Sequence, residues 1–184
     1  RHLRVFLRRQ GLSRFLALRA AAESLPIPDE SLDCLFTFNA IHHFERERFF
    51  RELERVLHPG GIAFLYTRFR SQNRRNIWGR YFPDFARKET RLYERAELVA
   101  SIEARPTLRL ESLQYFLYHR RADLPTLLKR AEHHCYSTFA MYSPEEFGRA
   151  LAAFERQLIS HFPDPSDIRW IDENVMAIVR KSGA

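Results

Sequence analysis

Blocks of apolar and polar residues along the chain predict buried strands separated by helices. Short continuous apolar runs are typical of strands covered on both faces, and three of them lie at 14–20, 32–38 and 62–67. Apolar residues at helical spacing predict a helix over 3–10 and another over 45–57. Strands joined through a helix predict a parallel sheet with right-handed crossovers.

The rest of the chain is predicted to hold more helix and two further strands. Helical spacing indicates helices over 85–104, 123–134 and 144–161. Strand character follows in two later segments. We therefore expect a single domain over 1–184, with a sheet core (1–67), helical insertions (68–104 and 119–165) and late strands (108–118 and 168–180).

The composition is that of a globular domain with a basic excess. The 184 residues are 45% hydrophobic and 29% charged, which excludes collagen, low-complexity disorder and a disulfide framework. A formal net charge of +7 is a first indication of nucleic-acid binding. Many cations alternate with acids, as in 45–55. This alternation favours a solvated, ion-paired surface, so nucleic acid is the less favoured partner.

The cysteines and the length of the apolar runs indicate the cellular compartment of the protein. Cys34 and Cys135 form no spaced pair, which favours a reducing, cytoplasmic compartment. Cys34 lies in an apolar run and is expected to be a buried thiol. The apolar runs are far shorter than the roughly 20 residues of a membrane helix, and no leader pattern is visible. We therefore expect no membrane association.

Three motifs follow one another in the first third of the chain. Residues 22–33 read AESLPIPDESLD, residues 39–44 read NAIHHF, and residues 52–61 read ELERVLHPGG. In this order and spacing they resemble the class I S-adenosylmethionine-dependent methyltransferases of the small-molecule "type 11" kind. That family reads AExLPfxdxSfD, then a strand ending in HHf, then ExxRVLkPGG. The resemblance covers about residues 14–67.

The resemblance implies a Rossmann-like α/β methyltransferase sheet, mostly parallel with a late antiparallel strand and with helical insertions. It implies methyl transfer from S-adenosylmethionine to a small organic molecule. The family's glycine-rich turn, GxGxG, has no counterpart, because no two glycines stand at G-x-G spacing. We therefore expect an N-terminally incomplete domain, either a fragment or a truncated chain of doubtful activity.

Ligands of such sheets bind beyond the carboxyl ends of the strands. The resemblance places the adenine of the cofactor after the first strand and its methionine end after the second. The cofactor-binding residues that it implies are Ala21, Ala22, Glu23, Asn39, Ala40 and His43. Glu23 is equally well explained as a surface acid or a helix cap.

The helical insertions supply the substrate candidates. These are Arg68, Trp78, Tyr81 and Tyr136, and Trp78 is also explained by core packing. His43 and His134 are candidate general bases, because histidine titrates near neutrality. A base is optional in methyl transfer, where the enzyme mainly positions the nucleophile and excludes water.

No metal site is expected. The adjacent His42 and His43 are predicted to point apart at the end of a strand, so that only one of them faces a pocket. No cluster of cysteines or carboxylates accompanies them at ligand spacing.

A competing hypothesis is a catalytically silent methyltransferase-like module that binds a protein partner or RNA. The absent glycine turn and the net charge motivate it. Methylation of RNA is a third hypothesis, and it requires the basic residues to cluster on one face. The sequence leaves the oligomeric state and the methyl acceptor open.

Overall fold

A computed structural model describes residues 9–11 and 14–183, which form a four-stranded mixed sheet with helices. The strands are β1 (Leu32–Phe38), β2 (Leu57–Thr67), β3 (Leu108–Ala122) and β4 (Ile168–Lys181). Their spatial order is β1-β2-β4-β3. β1 and β2 are parallel, whereas β4 runs antiparallel to both β2 and β3. The predicted α/β sheet is confirmed: β1, β2 and β3 share one direction, and the late strand β4 runs opposite to them.

Seven α-helices connect and cover the strands within the described residues. They are α1 (Arg46–Val56), α2 (Arg70–Arg75), α3 (Ile77–Tyr81), α4 (Phe85–Lys88), α5 (Arg95–Glu103), α6 (Leu124–Glu132) and α7 (Pro144–His161). Two 3-10 turns lie at Ile41–His43 and Ser137–Met141. None of the described helices has the length and apolar content of a membrane-spanning helix.

The prediction of a buried strand at 14–20 is wrong. Residues 15–20 have no regular structure, and the side chain of Leu16 is 78% exposed. The segment is not among the strands of the described sheet. The helix predicted over 3–10 falls almost wholly outside the described residues.

The helix predicted over 85–104 is divided into α4 and α5. The chain leaves the helical path at Glu89, whose carboxylate is buried and bonded to other segments. These tertiary contacts of Glu89 outweigh the local helical propensity of the segment.

β2 begins at Leu57 instead of residue 62 and includes the proline–glycine turn. A side chain on Gly61 would lie 2.9 Å from the Leu32 carbonyl oxygen. Glycine at this position lets β1 and β2 approach each other closely.

Helices cover one face of the sheet. Phe50 and Leu53 of α1 and Leu98 of α5 are buried in one core cluster with Leu65 of β2 and Ala177 of β4. A second core of aromatic residues holds the helical insertions together. Its members include Trp78, Phe82, Phe85, Phe139 and Phe154.

The other face of the sheet carries a row of aromatic side chains, here called the aromatic face. Its residues are Phe36, Phe38, Phe64, Tyr66, Phe116 and Tyr118. Phe36 and Phe38 are 59% and 68% exposed. Cys34 of the same strand is also exposed. The expectation of a buried Cys34 is wrong, because β1 is the edge strand of the described sheet and this face of it is uncovered.

Candidate functional site

A cavity of about 420 Å³, here called the strand-end cavity, lies where β1 and β2 end. Asn39 follows β1 with a positive φ of 48°, a conformation that asparagine tolerates better than most residues. The Asn39 N–H donates to the Tyr66 carbonyl at 2.8 Å. The chain then enters the 3-10 turn at the buried Ile41. This turn brings both following histidines to the cavity wall.

The two histidines have different environments. Their rings lie 4.0 Å apart, and His42 Nδ1 is buried without a hydrogen-bond partner. Burial, and then the neighbouring His43, lower the pKa of His42 to about 4, so its ring is neutral at pH 7. His43 is exposed, and its Nδ1 lies 3.5 Å from Arg91 Nη1. The prediction that the two point apart is wrong, because they lie on a 3-10 turn and not on a strand.

An ion-pair triad lines the cavity, with Arg68 and Asp172 buried and Arg120 about half exposed. Arg68 follows β2, and its Nε donates to the Glu173 carbonyl at 2.9 Å. Its Nη2 lies 3.3 Å from Asp172 Oδ1, and Arg120 Nε lies 3.4 Å from Asp172 Oδ2. One carboxylate is thus shared by two guanidinium groups.

A second carboxylate joins the cavity to the helical insertions. Glu89 is 3% exposed and accepts hydrogen bonds from Thr138 Oγ1 at 2.6 Å and Arg91 Nε at 2.9 Å. Burial raises the pKa of Glu89, but these bonds outweigh it and leave the pKa below its ordinary value. Arg91 Nη2 also donates to Ser137 Oγ at 3.1 Å. These hydrogen bonds hold the start of the 3-10 turn at 137–141 in the cavity wall.

A second cavity of about 560 Å³, here called the arginine cavity, adjoins the first. The two share wall residues that include Arg120, Tyr136 and Asp172. The remaining wall of the arginine cavity consists of Trp78, His119, Arg121, Arg130, Cys135 and Trp170. These two adjacent cavities are here called the cleft, and their walls include residues at the end of β1 and in the helical insertions.

The structure brings some of the sequence-predicted residues together and separates others. Asn39, His43, Arg68 and Tyr136 line the strand-end cavity. Trp78 lines the arginine cavity and is buried in the second core.

Two of the predicted substrate and general-base residues, Tyr81 and His134, line neither cavity. Tyr81 packs on His161 and Phe162, with ring centroids 4.9 and 5.6 Å away. His134 packs against Phe147 at 5.1 Å and lines neither cavity. A catalytic role for His134 and substrate contact by Tyr81 stay predictions that this geometry does not support.

The segment predicted to hold the adenine lies beside α1. Ala21 forms an isolated bridge with Ser24, and Ala22 packs against the first core. Glu23 Oε1 accepts a hydrogen bond from the Glu45 N–H at 2.7 Å. Glu23 thus contacts the start of α1, whose N-cap side chain is that of Glu45. Ala40 lies at the start of the 3-10 turn, where its carbonyl accepts from the His43 N–H.

Several residues of the cleft escaped sequence reasoning. They are Glu89, Arg120 and Asp172. Asp172 carried a usable signal, because a carboxylate in an apolar strand calls for a buried cation. Glu89 carried none, since its partner Thr138 is 49 residues away. Across the described residues no group of three or more His, Cys, Asp or Glu is arranged to hold a metal ion.

The N-terminal third of the chain matches a known protein family. Residues 3–65 match the family model described as "Methyltransferase domain". Over 74 residues the chain is 42% identical to phthiotriol/phenolphthiotriol dimycocerosates methyltransferase 1 of Mycobacterium ulcerans. That alignment covers 39% of this chain and 26% of the relative, so the match spans about a quarter of that protein's length.

Solved structures extend the likeness over the whole fold. A candidate methyltransferase from Bacillus halodurans is 19% identical with a TM-score of 0.63, over 97% of this chain and 77% of that one. The YcgJ protein of Bacillus subtilis is 17% identical with a TM-score of 0.61, over 98% and 77%. The [4+2]-cyclase SpnF is 20% identical with a TM-score of 0.58, over 98% and 61%. At these identities the likeness establishes the fold.

Proposed function

We propose that this chain, which has the sequence signature and the fold of the class I methyltransferases, binds S-adenosylmethionine and transfers its methyl group to a small organic molecule. The observation that carries the proposal is the strand-end cavity. It lies where β1 and β2 end, and residues 3–65, which match the family model, include β1 and most of β2. Open α/β sheets bind their ligands at this edge.

The wall of the cavity fits the methionine end of the cofactor. His42 Nδ1 and Asn73 Nδ2 are buried without hydrogen-bond partners, and both residues line the cavity. Buried polar atoms without partners are uncommon in proteins and call for a ligand or water. In this proposal Asn39, Ala40 and His43 hold the methionine end. When bound, S-adenosylmethionine supplies an electrophilic methyl group.

The chain's own residues then act by orienting and enclosing the acceptor. Arg68 is fixed by Glu173 and Asp172, so its guanidinium presents a preorganised donor to the acceptor. Tyr136, beside the fastened turn at 137–141, lies on the cavity wall and excludes water. His43 is exposed and can take the acceptor's proton and release it to solvent.

The segment proposed to hold the adenine offers few free side-chain groups. One oxygen of Glu23 is already engaged by the Glu45 N–H, and no side-chain donor or acceptor stands at Ala21 or Ala22. Contact of these three residues with the cofactor stays a prediction. Their backbone groups are what they would offer.

Calorimetric titration of S-adenosylmethionine into the chain tests the proposal. Asn39→Gly keeps the positive φ and the backbone bond to Tyr66 but removes the side-chain amide. We expect it to weaken cofactor binding about tenfold, the effect of losing one well-placed hydrogen bond. Asp84→Gly is the matched control, because Asp84 also has a positive φ of 62° and lines neither cavity. Absence of binding heat with the unaltered chain would contradict the proposal.

Methyl transfer itself needs a direct assay, because fold alone does not fix a reaction. The similar fold of a [4+2]-cyclase illustrates this point. Transfer of labelled methyl from S-adenosylmethionine to small organic acceptors, lost with His43→Ala, is the expected result.

The silent, RNA-binding module remains the competing proposal. Many described arginines are neutralised by acids, as Arg55 is by Asp29 and Glu52 and Arg70 is by Glu97. These pairs reduce the free positive charge of the surface, which supports the small-molecule proposal. RNA affinity that falls steeply with salt would favour the competing one.

A further inference from the structure

The wall of the arginine cavity carries more positive than negative charge. Arg120, Arg121 and Arg130 line it together with one carboxylate, that of Asp172. No other acid contributes to this wall. A cavity of one sign concentrates ligands of the opposite sign.

The ion pairs around the cavity do not use up this charge. Arg121 is paired with Asp167 at 2.5 Å. Asp172 is shared between Arg120 and the buried Arg68, so Arg120 keeps donors to spare. Arg130 forms no ion pair with an acid of the described residues. Guanidinium groups with free N–H donors bind carboxylate and phosphate oxygens in a fixed fork.

Aromatic side chains form the rest of the wall. Trp78 and Trp170 lie beside the arginines, and Tyr136 stands between the two cavities. Trp170 Nε1 is buried without an acceptor. Aromatic walls next to cations suit an organic anion better than a free inorganic one, because they bury the apolar part of the ligand.

We infer that the arginine cavity selects a methyl acceptor carrying a carboxylate or phosphate, which Arg120 and Arg130 bind while the reacting group extends past Tyr136 into the strand-end cavity. The inference rests on the proposed function, since it names the acceptor class for that site. It assigns Arg130 as a specificity-determining residue. Arg130 is remote from the cofactor wall, so its role is in acceptor binding.

Intrinsic fluorescence tests the inference directly. The chain has two tryptophans, and both line this cavity, so an emission change reports on it. The probes are phenyl phosphate and benzoate, with benzyl alcohol as the uncharged control. We expect saturable emission changes with one or both anions and an affinity about tenfold lower for benzyl alcohol, the scale of one charge-assisted contact.

Arg130→Gln should lower the affinity for the bound anion about tenfold. Arg156→Gln is the matched control, because Arg156 is exposed on α7 and lines neither cavity, and it should leave the affinity unchanged. Equal urea midpoints of the two variants exclude unfolding as the cause. The stronger of the two anions identifies phosphate or carboxylate as the recognised group.

Binding of benzyl alcohol as tight as that of the anions, or unchanged anion affinity in Arg130→Gln, would overturn the inference. Both titrations are made without S-adenosylmethionine. Failure of the anion site is therefore separate from failure of cofactor binding, which calorimetry measures on the same preparations.

Discussion

His42 is a histidine that the fold keeps uncharged. Its ring is half-buried beside His43 and lines the strand-end cavity. Burial is the main cause of its lowered pKa, and Arg91 contributes in the same direction while Glu89 opposes it. A neutral ring can accept a hydrogen bond, whereas a protonated ring would repel a cationic ligand.

The stability of the protein should depend on pH through this residue. The folded pKa of His42, about 4, lies below the unfolded value of 6.5. Between these values the unfolded chain binds the proton more readily, so stability is lost as pH falls from 6.5 towards 4. After allowance for partial solvent screening, we expect this residue to lower the free energy of unfolding by about 1–2 kcal/mol over that pH range. Urea unfolding at pH 7 and pH 4.5 should show a smaller loss for His42→Gln than for His133→Gln. Equal losses would contradict this.

Two glycines should respond to alanine in opposite ways. A Cβ on Gly79 would lie 1.8 Å from the Asn73 carbonyl oxygen, whereas one on Gly148 meets nothing within 4 Å. Gly79→Ala should destabilise by about 3 kcal/mol or more, because α2 and α3 would have to separate. Gly148→Ala should stabilise α7 by about 0.5–1 kcal/mol through helix propensity. Urea midpoints measure both, and a tolerated Gly79→Ala would show that α3 can shift.

At the scale of elements, local signals were sufficient for some boundaries and insufficient for others. α7 has its predicted bounds because Ser143 and Glu146 form a capping box around Pro144. The predictions of a strand at 14–20 and of one helix over 85–104 were wrong for a common reason. Strand pairing and the burial of Glu89 depend on residues far along the chain, which a local pattern does not contain.

The capping box gives a prediction for α7. Ser143 Oγ accepts from the Glu146 N–H at 3.2 Å, and Ser143→Ala removes this acceptor from the helix start. We expect a loss of about 1 kcal/mol in the free energy of unfolding. Ser160→Ala, near the other end of the helix, is the control and should change stability by less than about 0.5 kcal/mol. Similar effects of the two substitutions would mean that the cap contributes nothing.

At the scale of the whole molecule, the two faces of the sheet differ. α1 and α5 cover one face, while the aromatic face leaves Phe36 and Phe38 largely exposed. Exposed apolar patches of this kind bind dyes and promote association.

Binding of the dye ANS should therefore be strong in the native protein. Phe36→Ser combined with Phe38→Ser should lower the dye fluorescence several-fold, because both side chains belong to one continuous patch. Ile159→Ser is the control, since Ile159 is also exposed but lies apart on α7. Equal dye fluorescence in the double variant and the native protein would contradict this.

Some residues of the candidate site could be predicted from a local sequence motif, whereas others are brought together only by the tertiary fold. Asn39 and His43 were found because they belong to one short motif at a strand end. Arg120 and Asp172 meet Arg68 only after β4 is placed between β2 and β3. These two contacts join residues 104 and 52 positions apart along the chain, and no spacing rule in the sequence identifies them.

The central position of β4 has a consequence for the order of synthesis. β4 follows the other three strands along the chain, yet it is the strand that joins β2 to β3. While a ribosome is still translating residues 168–181, β1 and β2 can pair, but β3 has no described neighbour. The triad around Asp172 cannot form either. The cleft can therefore be completed only after β4 has been synthesised and has paired with both β2 and β3.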